Sequence, residues 1–586
     1  MQRHDLHQLG DDHDQPIQLD DLGIQGGTAM NRDGTDTSSW TALAAIGITV
    51  GVLACWHVSA VATLGGHWGD PLTSMAVLVG AIAGTRQVPT PSWVVFALMV
   101  AAATVVIVLA RMRWRRAYPA SQSALDRQRG HSARWASKKD LADLIDAGPG
   151  KRFMVGTLSG RRVWTEVGRS KLVLAPSGQG KTPRIVVPDV LLHTGPAVVV
   201  SVKSDVMALT QAQRRRVGKT MVFNPAHPTT SVRWSPLEMV TDWSSALRAA
   251  SYFTSTASAN KDQQQFWVQN AEDFMAPLLL AAALSDGTMK EVSQWVYTIT
   301  ESSAEIIQIL TSHGFDDARA RLSALLGTVA ETRDGVLTTA RTIMKAWNHP
   351  DVAACVSVRS GETGDNVLHI PDLIHSTDTL YLVSAASEQK LFAPIFETLV
   401  NAVYREVELA YEANNGHPIN PRLALVIDEA ANVAPVRRLA EIASAGAGQG
   451  VLLETVWQDE GQIIDSYGRD TARTIMSNHW ATLYLSGISD TQTLTNLSRR
   501  IGQDSFVRYS VSNDMTGRRN TSTNVVEEDV APASSLASVG RGKAIVVMAD
   551  RKPARMDEPG WFEDKQLRAM VDPSVAAVFD QEYTNG

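Results

Sequence analysis

Cysteine is nearly absent from this chain. Its 586 residues hold only Cys55 and Cys355. Two distant cysteines build no disulfide framework, and neither has neighbours at metal-ligand spacing. A reducing compartment therefore suits a large part of the chain. Other absences exclude more. No basic stretch precedes the first apolar run, so a cleavable signal peptide is not expected. No internal repeat, no L-S-G-G-Q-like signature and no clear winged-helix module at the C-terminus are found. The last two count against an ABC transporter and a septal DNA translocase. Residues 1–39 lack Lys and Glu altogether; eight Asp against Arg3 and Arg32 make that head −6 of the total −7. The rest of the chain is near neutral, so net charge decides nothing about nucleic acid.

What is present begins with hydrophobic runs. Residues 41–64 are largely apolar and 91–110 carry no charge. About 20 residues at ~1.5 Å each cross a ~30 Å hydrocarbon core. Arg111, Arg113, Arg115 and Arg116 follow the second run and place its end in the cytoplasm. The expected domain order is a disordered acidic head (1–39), a two-helix transmembrane hairpin (40–116) and a cytoplasmic body. The body is divided into a nucleotide-binding domain in two parts (117–240 and 357–550), an all-helical insert (241–356) and an acidic C-terminal tail (551–586).

Short apolar runs separated by helical stretches predict the body's fold. They are K-L-V-L-A (171–175), A-V-V-V-S-V (197–202), T-M-V-F (220–223), T-L-Y-L-V (379–383), L-A-L-V-I (423–427), V-L-L-E-T-V (451–456), A-T-L-Y-L (481–485) and A-I-V-V-M (544–548). Such runs suggest a parallel sheet covered on both faces, hence an α/β domain of RecA-like type. Residues 511–535 are polar and are expected to form a hairpin or loop.

The first strand runs into A-P-S-G-Q-G-K-T-P, residues 175–183. This is a phosphate loop with Ala175 at the usual first Gly. Ala175, Pro176, Ser177, Gly178, Gln179, Gly180, Lys181 and Thr182 are the candidate nucleotide-binding residues. Lys181 would reach the β- and γ-phosphates of ATP, and Thr182 would ligate Mg²⁺. Pro183 falls in the first helical turn, where its missing N–H costs little. L-A-L-V-I-D-E-A supplies the partner motif: Asp428 for the Mg²⁺ shell and Glu429 to activate water. Gln458, at the end of V-L-L-E-T-V-W-Q, is placed to sense the γ-phosphate.

Together these motifs resemble the type IV coupling proteins of conjugation and type IV secretion, the TraG/TraD-like family. The resemblance is carried by residues 131–141, 175–191, 198–206, 265–282, 425–435 and 475–487. It implies a membrane-anchored hexameric ATPase. Such an ATPase brings a relaxase–DNA complex to a secretion channel and helps drive single-stranded DNA through. A receptor for protein effectors and a recruitment module with little hydrolysis remain open alternatives. Many relatives carry an arginine near the position of Ala447 that reaches a neighbour's nucleotide. Arg499, Arg500, Arg437, Arg438 and Arg473 are the candidates to replace it. Ser201 stands where many relatives have Asp, and Lys203 reads as structural.

Overall fold

The computed structural model describes residues 52–63, 71–117, 135–254, 262–359, 361–385, 387–433, 436–513 and 519–584. The chain divides into two compact units, Met1–Gln128 and Arg129–Gly586. The expected acidic head lies outside the described residues, as do residues 41–51 of the first expected span. In the first unit, residues 52–63 are helical and helices cover Pro71–Ile82 and Thr90–Ala117. Among the described residues no helix is long and apolar enough to cross a membrane.

The second unit is built on a sheet of eleven strands. They are β1 (Met154–Leu158), β2 (Arg161–Trp164), β3 (Lys171–Leu174), β4 (Ala197–Ser201), β5 (Thr220–Phe223), β6 (Thr379–Val383), β7 (Leu423–Ile427), β8 (Val451–Trp457), β9 (Ala481–Leu485), and, beyond a separate ribbon of β10 (Gln503–Asn513) and β11 (Arg519–Asp529), β12 (Lys543–Met548) and β13 (Ala554–Asp557). The order is β2-β1-β13-β12-β9-β3-β8-β7-β4-β6-β5. From β9 to β5 every pairing is parallel. β3, β4, β6, β7 and β9 are buried at every position. Full burial on both faces is why these segments read as continuous apolar runs rather than alternating ones.

The expectation of a purely parallel sheet is corrected on the β9 side. There β12, β13, β1 and β2 add antiparallel pairings. Short connections dictate two of these, β1–β2 and β12–β13, because a parallel return needs a long crossover. Only residues 549–553 join β12 to β13, and Ser159-Gly160 (φ +53° and +77°) closes β1 onto β2 as a two-residue hairpin turn. The expected C-terminal tail is also corrected. β13 lies inside the sheet, and Trp561, Leu567 and Val571 are buried against Val187, Leu191 and Leu209. Its acidic residues are spent on partners: Asp564 pairs with Arg162 at 2.5 Å and Asp580 pairs with Arg568.

The helices that matter to the site are α1 (Val187–Leu192), α2 (Asp205–Val217), α3 (Asp262–Leu284), α4 (Gln389–Ala413), α5 (Leu439–Gln449) and α6 (Thr491–Ile501). Between β5 and β6 the described elements are helices from Pro236–Met239 through Ile370–Ile374, with α3 at their centre. Its Phe274, Met275, Leu278 and Leu279 are fully buried in the core shared with the sheet.

One feature of the core is charged. Lys171, the first residue of β3, is completely buried and ion-paired to Asp189 of α1. Its ammonium also donates to the Met154 carbonyl at 3.1 Å and lies 3.4 Å from Glu454, its register partner on β8. Asp189 in turn accepts the Met154 N–H at 2.9 Å. The cluster therefore ties the strand before the phosphate loop, the helix after it and β1 to one another. Burial opposes the lysine charge, but Asp189 and Glu454 hold its pKa above the ordinary value. Burial pushes Glu454 well above the carboxylate range and Glu558, which faces the same lysine, up to about 8.

A glutamic acid that keeps its proton in the fold and loses it on unfolding makes stability fall as pH rises between the two pKa values. For Glu558 that window runs from 4.5 to about 8, with Lys171, Asp189, Arg184 and Asp557 as the neighbouring charges. Glu558→Gln removes the dependence. Thermal melts should show its advantage over the parent widening between about pH 5 and 8, by on the order of 1 kcal/mol or more. Parallel pH profiles would contradict this.

Candidate nucleotide site

The parallel register brings the expected site residues to one edge of the sheet. β8 lies between β3 and β7, so the ends of all three strands meet there. The loop leaves β3 at Ala175, whose N–H bonds to the Trp457 carbonyl at 2.9 Å. Ala175 is buried and absent from the positive-φ residues, so the missing first glycine costs no strain. Gly178 and Gly180 both have φ +80°. That is the left-handed region, where a side chain is penalised. Gln179 between them rests on Gly487, beyond β9, where a Cβ would lie 2.8 Å from its Nε2.

Lys181, Thr182, Asp428 and Glu429 converge. Thr182 Oγ1 donates to Asp428 Oδ2 at 3.1 Å, and Lys181 Nζ is 3.4 Å from Glu429 Oε1. The Asp428 N–H is held by the Val200 carbonyl of β4 at 2.9 Å. Glu429 has φ +57°, a strained value for a glutamate that turns the chain sharply off the strand. Lys181 is 6% exposed and Asp428 4%. Burial, helped by the nearby Glu429 and Asp205 charges, pushes Asp428 up to about 6 against the pull of Lys181 and Thr182.

Among the described residues, buried Lys181 Nζ and Asp428 Oδ1 have no hydrogen-bond partner, Nζ having only its ion contact with Glu429. Native proteins rarely leave such atoms unpaired. A cation and a carboxylate oxygen left open beside a curled loop fit an anionic group with a metal ion. Gln458 follows β8, but its main-chain N–H goes to the Gln462 side chain at 3.0 Å, and among the described residues no hydrogen bond joins it to the loop.

The five arginines proposed in place of one at Ala447 would act on a neighbouring copy's nucleotide, so contacts within their own chain do not decide that role. Among the described residues none forms a hydrogen bond or ion pair with the loop, Asp428 or Glu429. Arg438 is bound to Glu408 at 2.5 Å and Glu441 at 2.7 Å and lies over Tyr404. That network fixes it structurally. The Arg437 N–H goes to Glu397. Arg500 donates to the Tyr484 hydroxyl at 2.9 Å, and it lines a cavity of about 420 Å³ together with Arg473 and Arg499. Ala447 lies in α5, and its carbonyl accepts Arg422 Nη1 at 2.7 Å. Lys203, read as structural, is exposed, while Ser201 is buried at the end of β4 and accepts the Lys203 N–H at 3.3 Å.

Sequence reasoning missed Arg184. Two residues beyond Thr182, its main-chain N–H bonds the Gly180 carbonyl at 3.0 Å and its guanidinium pairs with Glu563 at 2.7 Å. A motif search looks no further than the Lys-Thr pair, and the partner is far along the chain.

Strand, curled glycine loop and acid pair define a RecA-like α/β domain with phosphate-loop geometry. The description of the family of type IV secretory system conjugative DNA transfer proteins matches residues 132–582, and the chain belongs to that family. It is 24% identical over 439 residues to the conjugal transfer protein TraG of Escherichia coli, covering 67% of each chain. With TraG of Rhizobium radiobacter identity is 25% over 424 residues, 68% of this chain and 63% of the relative. The matches thus span about two thirds of these relatives. Among solved structures, the plasmid coupling protein TrwB in complex with ADP and Mg²⁺ is similar in fold. Its TM-score is 0.56 at 19% identity, covering 73% of this chain and 94% of TrwB.

The geometry ranks two substitutions. Gly178→Ala meets open space and suffers only backbone strain, whereas a Cβ on Gly180 also lies 3.0 Å from Arg184 Cδ. Urea unfolding should show Gly178→Ala costing about 1 kcal/mol and Gly180→Ala more, about 2 kcal/mol. The reverse order would contradict the loop conformation.

Proposed function

We propose that the protein is a membrane-anchored, hexameric ATPase that couples a relaxase–DNA substrate to a type IV secretion channel and helps drive single-stranded DNA through it. The observation that carries the reading is the pair of open buried atoms, Lys181 Nζ and Asp428 Oδ1, beside the loop of a conjugative DNA transfer family member. TrwB, with a similar fold, is described in complex with ADP and Mg²⁺. The apolar runs at 41–64 and 91–110 support the membrane hairpin of residues 40–116.

In this reading residues 175–182 hold the phosphates through main-chain N–H groups and Lys181. Thr182 and Asp428 hold Mg²⁺, which neutralises charge on the β- and γ-phosphates. Glu429 orients and deprotonates the attacking water, and Gln458 senses the γ-phosphate position. The Lys181–Glu429 contact gives this set a resting state: a phosphate that takes Lys181 releases the Glu429 carboxylate for the water. The domain scheme follows, with residues 117–240 and 357–550 as the nucleotide-binding domain and 241–356 as its helical insert.

Full-length protein should turn over ATP with Mg²⁺, faster with single-stranded DNA. Lys181→Ala should abolish nucleotide binding. Glu429→Gln should retain binding and lose about 10²-fold or more in turnover. Conjugative transfer that survives Glu429→Gln but not Lys181→Ala would favour the recruitment alternative. Turnover by a hexameric preparation that ignores DNA would favour a protein substrate.

A further inference from the structure

The helix after the phosphate loop is short of donors. Pro183 and Pro188 both lack an N–H. The turn Thr182–Val186 is π-helical, and the Val187 N–H bonds to the Thr182 carbonyl. In that i to i+5 register the Pro183 carbonyl faces residue 188, which is proline and cannot donate. Pro183 is buried, so its carbonyl needs a partner from elsewhere. The Trp561 N–H supplies it at 3.0 Å, and Trp561 itself is fully buried.

The next residue is bound to the same distant segment. Arg184 Nη1 donates to the Glu558 carbonyl at 2.7 Å, and Nη1 and Nη2 hold the Glu563 carboxylate at 2.7 and 2.9 Å. Its guanidinium lies over the Phe562 ring at 5.3 Å. Glu563 Oε2 also accepts the Gly560 N–H at 2.9 Å, which closes the segment on itself. On its other side the Arg184 stem rests against Gly180, where a Cβ would meet Cδ at 3.0 Å. Residues 558–563 therefore reach the loop by one main-chain bond, the Arg184 bond to the Glu558 carbonyl, one two-toothed ion pair and the ring contact with Phe562.

We infer that E-P-G-W-F-E, residues 558–563, is a clip that positions the phosphate loop, with Arg184 as the positioning residue through which the C-terminal segment sets nucleotide affinity. The inference rests on the reading of the loop as a nucleotide site. Two left-handed glycines make the loop soft, and a soft loop spends binding energy on being ordered. A guanidinium packed against Gly180 and anchored at its far end restricts that freedom before the ligand arrives. The Glu563 side chain is 45% exposed, so the tether is accessible from solvent, whereas its Trp561 anchor is not.

The test uses the full-length chain, with Mg²⁺-ADP binding measured by calorimetry. Opening of the clip is followed by hydrogen exchange at the Trp561 amide. Glu563→Gln and Arg184→Lys should speed exchange at Trp561 and weaken ADP binding about five-fold or more. Melting temperature should stay within about 2 °C of the parent, since the Glu563 end of the pair is open to solvent and such pairs add little stability. If a single substitution leaves Trp561 protected, Glu563→Gln combined with Phe562→Ala is read by the same criteria. Faster Trp561 exchange with unchanged ADP affinity would overturn the clip while leaving the nucleotide site standing. A parent chain that binds no ADP would overturn both.

Discussion

Parallel pairing of β3, β8 and β7 is the constraint on which the site depends. Three adjacent strands running the same way must end at the same edge, so the loop after β3 and the acid pair after β7 meet without any contact between their sequences. The register holds Lys171 opposite Glu454 and Leu423 opposite Val451. The polar groups at the edge are then brought within 3.1 to 3.4 Å of one another. The apolar sheet is costly for charge, and that cost is the point: Asp428 and Lys181 sit nearly dry, where a bound anion and a metal ion interact more strongly than in water. Strain at Glu429 and the open atoms on Lys181 and Asp428 are local losses of stability, concentrated where binding would recover them.

The central strands were legible because burial on both faces leaves no polar interruption, as in L-A-L-V-I and A-T-L-Y-L. The loop and acid pair were legible because their chemistry demands particular residues at particular offsets. β1, β2 and β13 were not, since M-V-G-T-L and R-R-V-W are short and β1 finds its second partner, β13, far along the chain. A Ser-Gly turn between β1 and β2 was the signal available. The antiparallel hairpins β1–β2 and β12–β13 follow from connection length, which only strand positions reveal.

Charge was the harder signal to read. Lys171 and Glu454 fall inside runs read as strands, but that they are fully buried and face each other is visible only in the fold. The acidic residues beyond 551 look like a solvated end, yet each carboxylate of Asp564, Glu563 and Asp580 holds an arginine. Pro183 shows the same limit. Sequence correctly makes its missing N–H cheap, but its carbonyl also needs a donor, and that donor, Trp561, is visible only in three dimensions.

The central claim is that main-chain N–H groups of residues 178–182 receive the phosphates of ATP. Hydrogen exchange of the full-length chain with and without Mg²⁺-ATP tests it most directly. The account predicts slower exchange at Gly178, Gln179, Gly180, Lys181 and Thr182, together with the segment following Asp428. Unchanged exchange there, with protection arising at another place in the chain, would contradict it.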